Sequence, residues 1–590
     1  MSTDLPAALS LEEINGQKLS SEQQRYLEGF FAGLKNRGLS FDAVAANPTR
    51  DLPKRAVEED LIIEERIKRE LHPLDAYPLL LEHAAANQAP ERENIFRFKW
   101  SGLFYLTPAH EGFMCRLRIP GGQLKTFQWR ELARVASELT SGYVQITTRA
   151  NLQMRLIQPK DAPELLRRVQ GIGLHTRGAG ADNIRNITAC PTAGIDPGEI
   201  IDVTPFCHDL AQLIISSREF YDLPRKFNIA LDGGGPISSV EDTNDIGARA
   251  VRIETGERDE AGVEITPGIY FRIALGGASG HQAFARDAGI LVGPSELVRV
   301  IAALVRVYIT NGNRTDRKRA RLKWLLESWS LEKYIGETEK ILGTALLRHR
   351  APPARPAVPT AHHPQVGVHH QKQAGLNYIG VNVPVGQITP KQMLRVAEIA
   401  DLYGSGEIRL TVWQNLILPN VPDSFVETAR KALLKAGFDS RPSHIRSGLV
   451  ACTGNSHCKF AQADTKSHAL ALAEHLEKTI KLDQPINIHL TGCPNSCAQH
   501  YIGDIGLLGT KVKVAGESHE GYHVFVGGGF AGRQAVGRQI FTGVSTGQLQ
   551  PTLEKVLKGY LRHRECAETF QAFTQRHDLN RLQAIFSNDE

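Results

Sequence analysis

The chain has 590 residues, 42% of them hydrophobic, 23% charged and 7% aromatic, with 30 Pro and 53 Gly. At ~150 residues per domain this is about four domain-sized units of ordinary packed globule, which excludes collagen-like, coiled-coil and wholly disordered chains. The surplus of Lys+Arg (69) over Asp+Glu (64) is only +5, too thin a basic footprint for nucleic-acid binding but suited to an acidic protein partner or a polyanionic cofactor.

Residues 1–94 predict a mostly helical segment without chemistry of its own. The N-terminus, MSTDLPAALSLEEING, carries acids and no apolar core, so it is not a secretory signal. No run of ~18 apolar residues is present to span a membrane, and a cytoplasmic location is expected. Residues 116–157 then predict a strand, a turn at Pro-x-Gly, an amphipathic helix and an alternating strand. NIRNITACP (183–191) and LPRKFN (223–228) follow; in an extended backbone Lys226 and Asn228 share one face. The basic run from Arg314 to Lys323, with Arg317, Lys318, Arg319 and Arg321, is open between lining a ligand, docking a donor and simple solvation, as are Arg118 and Arg225.

HRAPPARPAVPTAHHPQ (349–365) is too rich in Pro and Ala for regular structure and predicts a linker. The histidines around it (His362, His363, His369, His370) are expected to be exposed polarity rather than ligands. Beyond the linker the chain repeats itself: residues 380–421 match 116–157 without a gap, pairing Pro120 with Pro384, Gly122 with Gly386, Gln123 with Gln387, Gly142 with Gly406 and Asn151 with Asn415, each 264 apart. HIRSGLVACT (444–453) echoes NIRNITACP, and YHVFVGGGFAG (522–532) echoes YFRIALGGASG (270–280). Short strands alternating with helices of ~12 residues give an α+β (mixed α/β) fold with a pseudo-two-fold duplication.

Eight cysteines (Cys115, Cys190, Cys207, Cys452, Cys458, Cys493, Cys497 and Cys566) are too few for a disulfide scaffold. Four of them crowd into 452–497 as C-x5-C and C-x3-C. Four thiolates suit zinc or an iron–sulfur cluster, and structural zinc favours tighter C-x2-C knuckles. Two pairs of buried structural cysteines are the bland alternative, hard to reconcile with so dense a group in a Cys-poor chain. Gly527-Gly-Gly-Phe-Ala-Gly532 fits G-x-G-x-x-G after a strand. The acid expected ~20 residues on is missing from a strand, since Glu554 lies in a helical pattern, and LGGASG repeats the loop in the first half. Packing against a cofactor is expected there, with no nicotinamide or flavin site.

Cys-Thr-Gly-x3-Cys, then Gly-Cys-Pro-Asn-Ser-Cys, then Asp504-Ile-Gly-x2-Gly509 resembles the signature of the sirohaem-containing nitrite and sulfite reductases, over about residues 95–560. The resemblance implies a three-lobed architecture with paired ferredoxin-like half-domains and two mixed-sheet lobes. Its expected divisions are 1–94 (helical), 95–163 (first half-domain), 164–348 (first sirohaem and substrate lobe), 349–373 (linker), 374–425 (second half-domain), 426–560 (cluster and sirohaem lobe) and 561–590 (tail). It implies a [4Fe-4S] cluster on Cys452, Cys458, Cys493 and Cys497, with Cys497 also ligating the sirohaem iron. Sirohaem carries eight carboxylates, so buried cations are needed around it. Arg116, Arg185, Lys226 and Asn228 are the implied catalytic set for the anion, and Arg149 and Asn151 face the cofactor.

Sulfite reductases of the family usually carry Lys where this chain has Asn228. Nitrite is a monoanion, sulfite partly a dianion, so one cation fewer favours nitrite. The implied function is assimilatory six-electron reduction of nitrite to ammonium by a monomer. Electrons come from ferredoxin or flavodoxin and pass through the cluster and the Cys497 sulfur. The alternatives are an assimilatory sulfite reductase with the same cofactors, an oxygen-dependent enzyme of corrin synthesis with the same cysteine pattern, and a non-enzymatic cluster or zinc protein.

Overall fold

The doubled strand–turn–helix–strand pattern folds as two sheets that trade an edge strand. In the computed structural model, residues 13–14, 17–18, 61–105, 112–259, 261–350 and 363–587 are described. Leu103–Tyr105, Phe113–Arg116, Leu152–Ile157 and Val144–Ile146 make four strands of one sheet, and its fifth is Gln387–Ile388 from the second copy. The other sheet joins Gly367–His370, Leu376–Val381, Leu416–Pro422 and Glu407–Leu410 to Gln123–Lys125 from the first copy. The registers are the same pairing shifted by 264: Gln123 faces Arg409 and Leu124 faces Ile408, while Gln387 faces Gln145 and Ile388 faces Val144.

Each exchanged strand runs into a helix, Thr126–Leu139 or Pro390–Tyr403, whose third residue is a glutamine that reaches back to the residue before the helix, and in the second Thr389 Oγ1 accepts the Gln392 N–H in return. Gln128 Oε1 accepts the Lys125 N–H (2.9 Å) and Gln392 Oε1 the Thr389 N–H (3.0 Å), again 264 apart. The helices meet where Trp129 Nε1 donates to Met393 O (2.9 Å), and one apolar core (Trp129, Leu132, Val135, Met393, Val396, Ile408) spans both copies.

The two lobes share a second plan. In one, Thr188–Ala189, Ile229–Asp232 and Ile246–Ile253 run parallel, then Gly268–Leu275, Arg286–Val292 and Leu347–Arg348 continue antiparallel. In the other, Leu449–Ala451, Ile488–Thr491 and Ile505–Val514 are parallel and Glu517–Val526 and Arg538–Ser545 antiparallel. Matching contacts recur 259 residues apart. The Asn228 N–H donates to Asp245 Oδ2 and the Asn487 N–H to Asp504 Oδ2, both 2.8 Å. Parallel strands end their C-termini at one edge, which is where an open sheet of this kind builds a site.

Two units divide the chain, Met1–Leu61 and Ile62–Glu590. In the first, Glu13–Ile14 pairs antiparallel with Gln17–Lys18; most of the helical segment expected before residue 61 lies outside the described residues. The second begins with the helices Ile63–Glu70 and Tyr77–Ala85. His362 and the Pro-rich residues 351–362 are also outside. Gly367–His370, assigned to the linker in the sequence, is a strand, and His369 stacks on Tyr378 at 4.8 Å. The Pro/Ala bias ends at Pro364, and Gly367–His370 then pairs into a hairpin with Leu376–Val381. The C-terminal residues form helices Phe570–Arg576 and Leu579–Ser587, whose Phe573, Leu582 and Phe586 complete the second lobe's core.

Candidate active site

The cysteines come first. Cys452 follows Leu449–Ala451 and Cys493 follows Ile488–Thr491, adjacent parallel strands, so the two sulfurs leave the sheet side by side. The Gly492 N–H donates to Cys452 Sγ (3.2 Å). Ser496, held at φ 51°, turns the chain so that Cys497 faces outward from the loop. Burial pushes the Cys497 thiol up to about 11, the charges of Cys452, Cys493 and Cys458 add to that, and Lys226 opposes it. All four sulfurs are thus within electrostatic reach of each other. Yet among the described residues no three His, Cys, Asp or Glu groups close on one ion-sized point. Zinc would hold its thiolates about 3.8 Å apart; the ligands of a cluster stand wider.

Around the thiols stand cations. Arg116 ends the strand Phe113–Arg116, its guanidinium 4.7 Å from the Phe104 ring and its Nη1 3.4 Å from Ala179 O. Arg185 donates to the same carbonyl (2.6 Å) and to Ala181 O (2.8 Å). Arg118, 2% exposed, donates to the carbonyls of Arg177, Ile184 and Arg185 and so fixes the loop that carries Arg185. Phe227 is buried and bridged to Ile184, leaving Lys226 and Asn228 together on the opposite face, as alternation by two requires. Asn228 Oδ1 is buried without a hydrogen-bond partner.

Arg149 crests a turn in which the Ala150 N–H donates to Thr147 O (3.0 Å), with Ala150 at φ 47°. Its Nη1 donates to Asn244 Oδ1 (3.0 Å). Asn151, expected to face the cofactor, instead turns inward: it is 1% exposed and its Nδ2 donates to Leu117 O (2.9 Å). Its copy Asn415 uses the other end of its amide, Oδ1 accepting the Val383 N–H (3.0 Å). Both amides build the turn, because the turn's own N–H and C=O groups leave nothing else to tie it to the neighbouring strand.

Arg155 and Lys466 were not anticipated. Arg155 bonds Gln145, Gln153 and Thr453, and Lys466 donates to the carbonyls of Val385 and Ala451; both feel the charge of Cys452. The alternating L-Q-M-R-L-I strand carries no signal for Arg155, which falls with Gln153 on the polar face of the alternation and is buried only by packing. The basic run sorts itself. Arg314 pairs with Glu65 and Asp222, Arg317 takes Asp182 through both Nη atoms (2.8 Å each), and Arg321 takes Asp245 (3.1 and 2.7 Å). Lys323 and Arg319 lie against Trp324, and Arg225 stands 3.6 Å from Asp182.

Asp182 and Asp245 are therefore already committed. Arg116, Arg118, Arg149, Arg155, Arg185, Lys226 and Lys466 have no carboxylate partner among the described residues. Burial brings Arg118, Arg149 and Arg155 down to about 10, Lys466 to about 8 and Lys226 to about 7; for Lys226 the charge of Arg321 adds to it. Arg185 falls well below its ordinary value. Arg116, Arg149, Arg185 and Lys226 nonetheless keep solvent-accessible surface, and Cys497 is exposed. Groups that are deep yet accessible line a chamber. Its charge is strongly positive, and only anions relieve it.

The Gly527–Gly532 loop is not built for a dinucleotide. It leads into the three-residue turn Ala531–Arg533 rather than an α-helix, and a Cβ on Gly528 would collide with the backbone of Tyr501 and Ile502. Its glycines admit the chain's own backbone. No helix among the described residues is long and apolar enough to cross a membrane.

The family described as "Nitrite and sulphite reductase 4Fe-4S domain" matches residues 180–346 and 445–589, and "Nitrite/Sulfite reductase ferredoxin-like half domain" matches 107–172 and 369–436. The chain is 37% identical over 469 residues to a ferredoxin–nitrite reductase of Synechococcus elongatus, covering 78% of this chain and 88% of that one. It is 34% identical to the chloroplastic ferredoxin–nitrite reductase of Spinacia oleracea, covering 78% and 77%. The solved structure of the Mycobacterium tuberculosis NirA protein superposes with a TM-score of 0.80 at 29% identity, covering 88% of this chain and 97% of that one.

Proposed function

The chain belongs to the nitrite and sulphite reductase family, and from that premise we infer that this oxidoreductase reduces nitrite to ammonium, with ferredoxin as its electron donor. Nitrite takes up six electrons and eight protons to give ammonium and two waters. A small one-electron carrier of another kind, such as flavodoxin, fits the same role. Assimilation of nitrate-derived nitrogen in the cytoplasm, by a monomer, belongs to the same proposal.

The observation that carries the reading is the chamber: seven cations without a carboxylate partner among the described residues, of which Arg116, Arg155, Lys226 and Lys466 act directly on the charge of the cysteines. A tetrapyrrole with eight carboxylates fits this donor set, and Arg149, buried yet accessible, is placed to hold its acids. Cys452, Cys458, Cys493 and Cys497 would hold the [4Fe-4S] cluster, with Cys497, the exposed one, shared with the sirohaem iron. When bound, the iron supplies the open coordination site for the nitrogen and the cluster supplies stored electrons.

The chain's own part is electrostatic. Arg116 and Arg185, tied to one carbonyl, present two guanidiniums to the anion's oxygens and stabilise charge as those oxygens leave. Lys226, with its proton held near neutrality, can give that proton at Nζ. Asn228 offers an amide where a second ammonium would favour a dianion. The test is kcat/KM for nitrite and for sulfite side by side, with reduced ferredoxin, on protein whose spectrum shows a Soret and a red band. Nitrite is expected to win; a sulfite preference overturns the reading of Asn228, and a colourless, fully loaded protein overturns the proposal.

A further inference from the structure

One cation near the chamber has no duty in the site described so far. Phe98–Ser101 forms a single 3-10 turn in which Trp100 is fully buried and its Nε1 donates to Tyr221 O (3.0 Å). Lys99 leaves the turn half-buried, its Nζ 5.5 Å from the Phe96 ring, and has no hydrogen-bond or ion-pair partner among the described residues. Arg317 lies 5.6 Å from the same ring, but its charge is taken by Asp182.

The turn abuts the site directly. A Cβ on Gly180 would overlap Lys99 O and come within 2.7 Å of Phe104 Cζ, so residues 179–181 lie flat against both. Ala179 O, on the other side of that segment, receives Arg116 and Arg185, and Arg116 stacks on Phe104. The backbone of Lys99 thus stands one loop's thickness from the two guanidiniums, and its ammonium feels the charge of Arg185. Lys459, exposed on the cysteine loop, and Arg317 and Arg185 are within electrostatic reach and oppose its charge, while the Asp182 carboxylate, already shared by Arg317 and Arg225, favours it. An ammonium held in this place, with the one shared carboxylate of Asp182 against three neighbouring cations, carries a desolvation cost that a visiting anion offsets.

We propose that Lys99 is an anion-binding residue on the approach to the site, receiving the substrate oxyanion from the Lys459 side and presenting it to Arg116 and Arg185. The proposal rests on the nitrite-reducing reading above. A bound, transient anion at Lys99 raises its local concentration beside the guanidiniums, an effect on capture rather than on the chemistry.

The test uses holoenzyme with K99Q and K99R, assayed for nitrite and for hydroxylamine. Hydroxylamine lies on the path to ammonium and is uncharged above neutral pH. K99Q is expected to lose about fivefold to tenfold in kcat/KM for nitrite, carried by KM, while hydroxylamine changes less than twofold and K99R recovers most of the loss. The nitrite loss should shrink as salt is raised. Equal losses on both substrates, an unchanged nitrite KM, or loss of the tetrapyrrole bands in K99Q each overturn the role. If unmodified holoenzyme reduces no nitrite, the broader reading fails instead, and the two failures are distinguishable.

Discussion

Among the described residues Lys226 has no hydrogen-bonding partner to keep it charged; burial and the neighbouring guanidiniums of Arg321, Arg185 and Arg225, against the opposing pull of Cys497, drive its pKa to about 7. What keeps it useful is its frame. Asp245 takes the Arg321 guanidinium on both oxygens and the Asn228 N–H (2.8 Å), so one buried carboxylate fixes the segment that carries both Lys226 and Asn228. Anion binding needs the ammonium form, and nitrite stays a monoanion near neutrality, so kcat/KM should fall as pH rises past about 7. The fall belongs to this lysine if K226R, which does not titrate in that range, flattens it; a profile unchanged in K226R rejects the assignment. K226A should keep the visible spectrum and lose about 10²–10³ in kcat, the scale set by removing one electrostatic donor at a reacting oxygen. C497S, by contrast, should lose the bands and the turnover together.

The glycines of the two Pro-x-Gly turns show why the exchanged strands form where they do. Gly122 and Gly386 sit at φ 74° and 69°, and a Cβ on either would come within 2.5 Å of Leu410 O or 2.6 Å of Ile146 O, carbonyls of the partner copy. Gly121, at φ 61°, meets nothing closer than Ala189 Cβ at 3.9 Å, and its copy, Val385 at φ 46°, already carries a side chain. G121A should therefore cost about 1 kcal/mol, the left-handed backbone penalty alone. G122A should add a backbone clash and reach about 3 kcal/mol or more. Chemical denaturation separates them, and equal costs would dismiss close approach as the reason for Gly122. The 264-residue echo exposed both copies and both glycines from sequence, because each is a local pattern. It did not reveal the exchange, since Gln123–Lys125 alternates equally well beside either sheet and only tertiary register chooses. The thiol quartet was legible from spacing. Asn151 was misplaced because a polar residue in a matched motif looks the same whether it faces a ligand or closes a turn. Arg155, Lys466 and Lys99 were silent because a single cation is usually solvated, and only packing shows otherwise.

Across the molecule the duplication keeps its backbone and breaks its chemistry. Cys190 stands where Cys452 does, even accepting the Gly233 N–H as Cys452 accepts that of Gly492 (3.3 and 3.2 Å), but Gly234 and Ser238 replace Cys493 and Cys497. Trp413 replaces Arg149, packed on Phe530 (4.8 Å) and His489 (6.0 Å), so the second copy of the chamber is filled with rings. Burial holds His489 down to about 4, so the unfolded chain binds protons between pH 6.5 and 4 that the native one does not. Stability should therefore fall on acidification through that window, by about 3 kcal/mol for this residue. H489Q should lessen the loss between pH 7.5 and 5, and an unchanged loss would clear His489. The first chamber poses the opposite problem, a set of like charges that protein groups leave uncompensated. Protein purified without its tetrapyrrole should be stabilised by any oxyanion that binds the native chamber alone, by RT ln(1 + [L]/Kd). With phosphate at ten times its Kd that is about 1.4 kcal/mol, a rise in Tm of a degree or two for a chain of this size. Chloride at equal ionic strength should give less, and R185A should abolish the difference. Were phosphate to raise Tm equally in R185A, the stabilisation would come from general exclusion at the surface, and the chamber's unpaired charge would not be what the native state lacks.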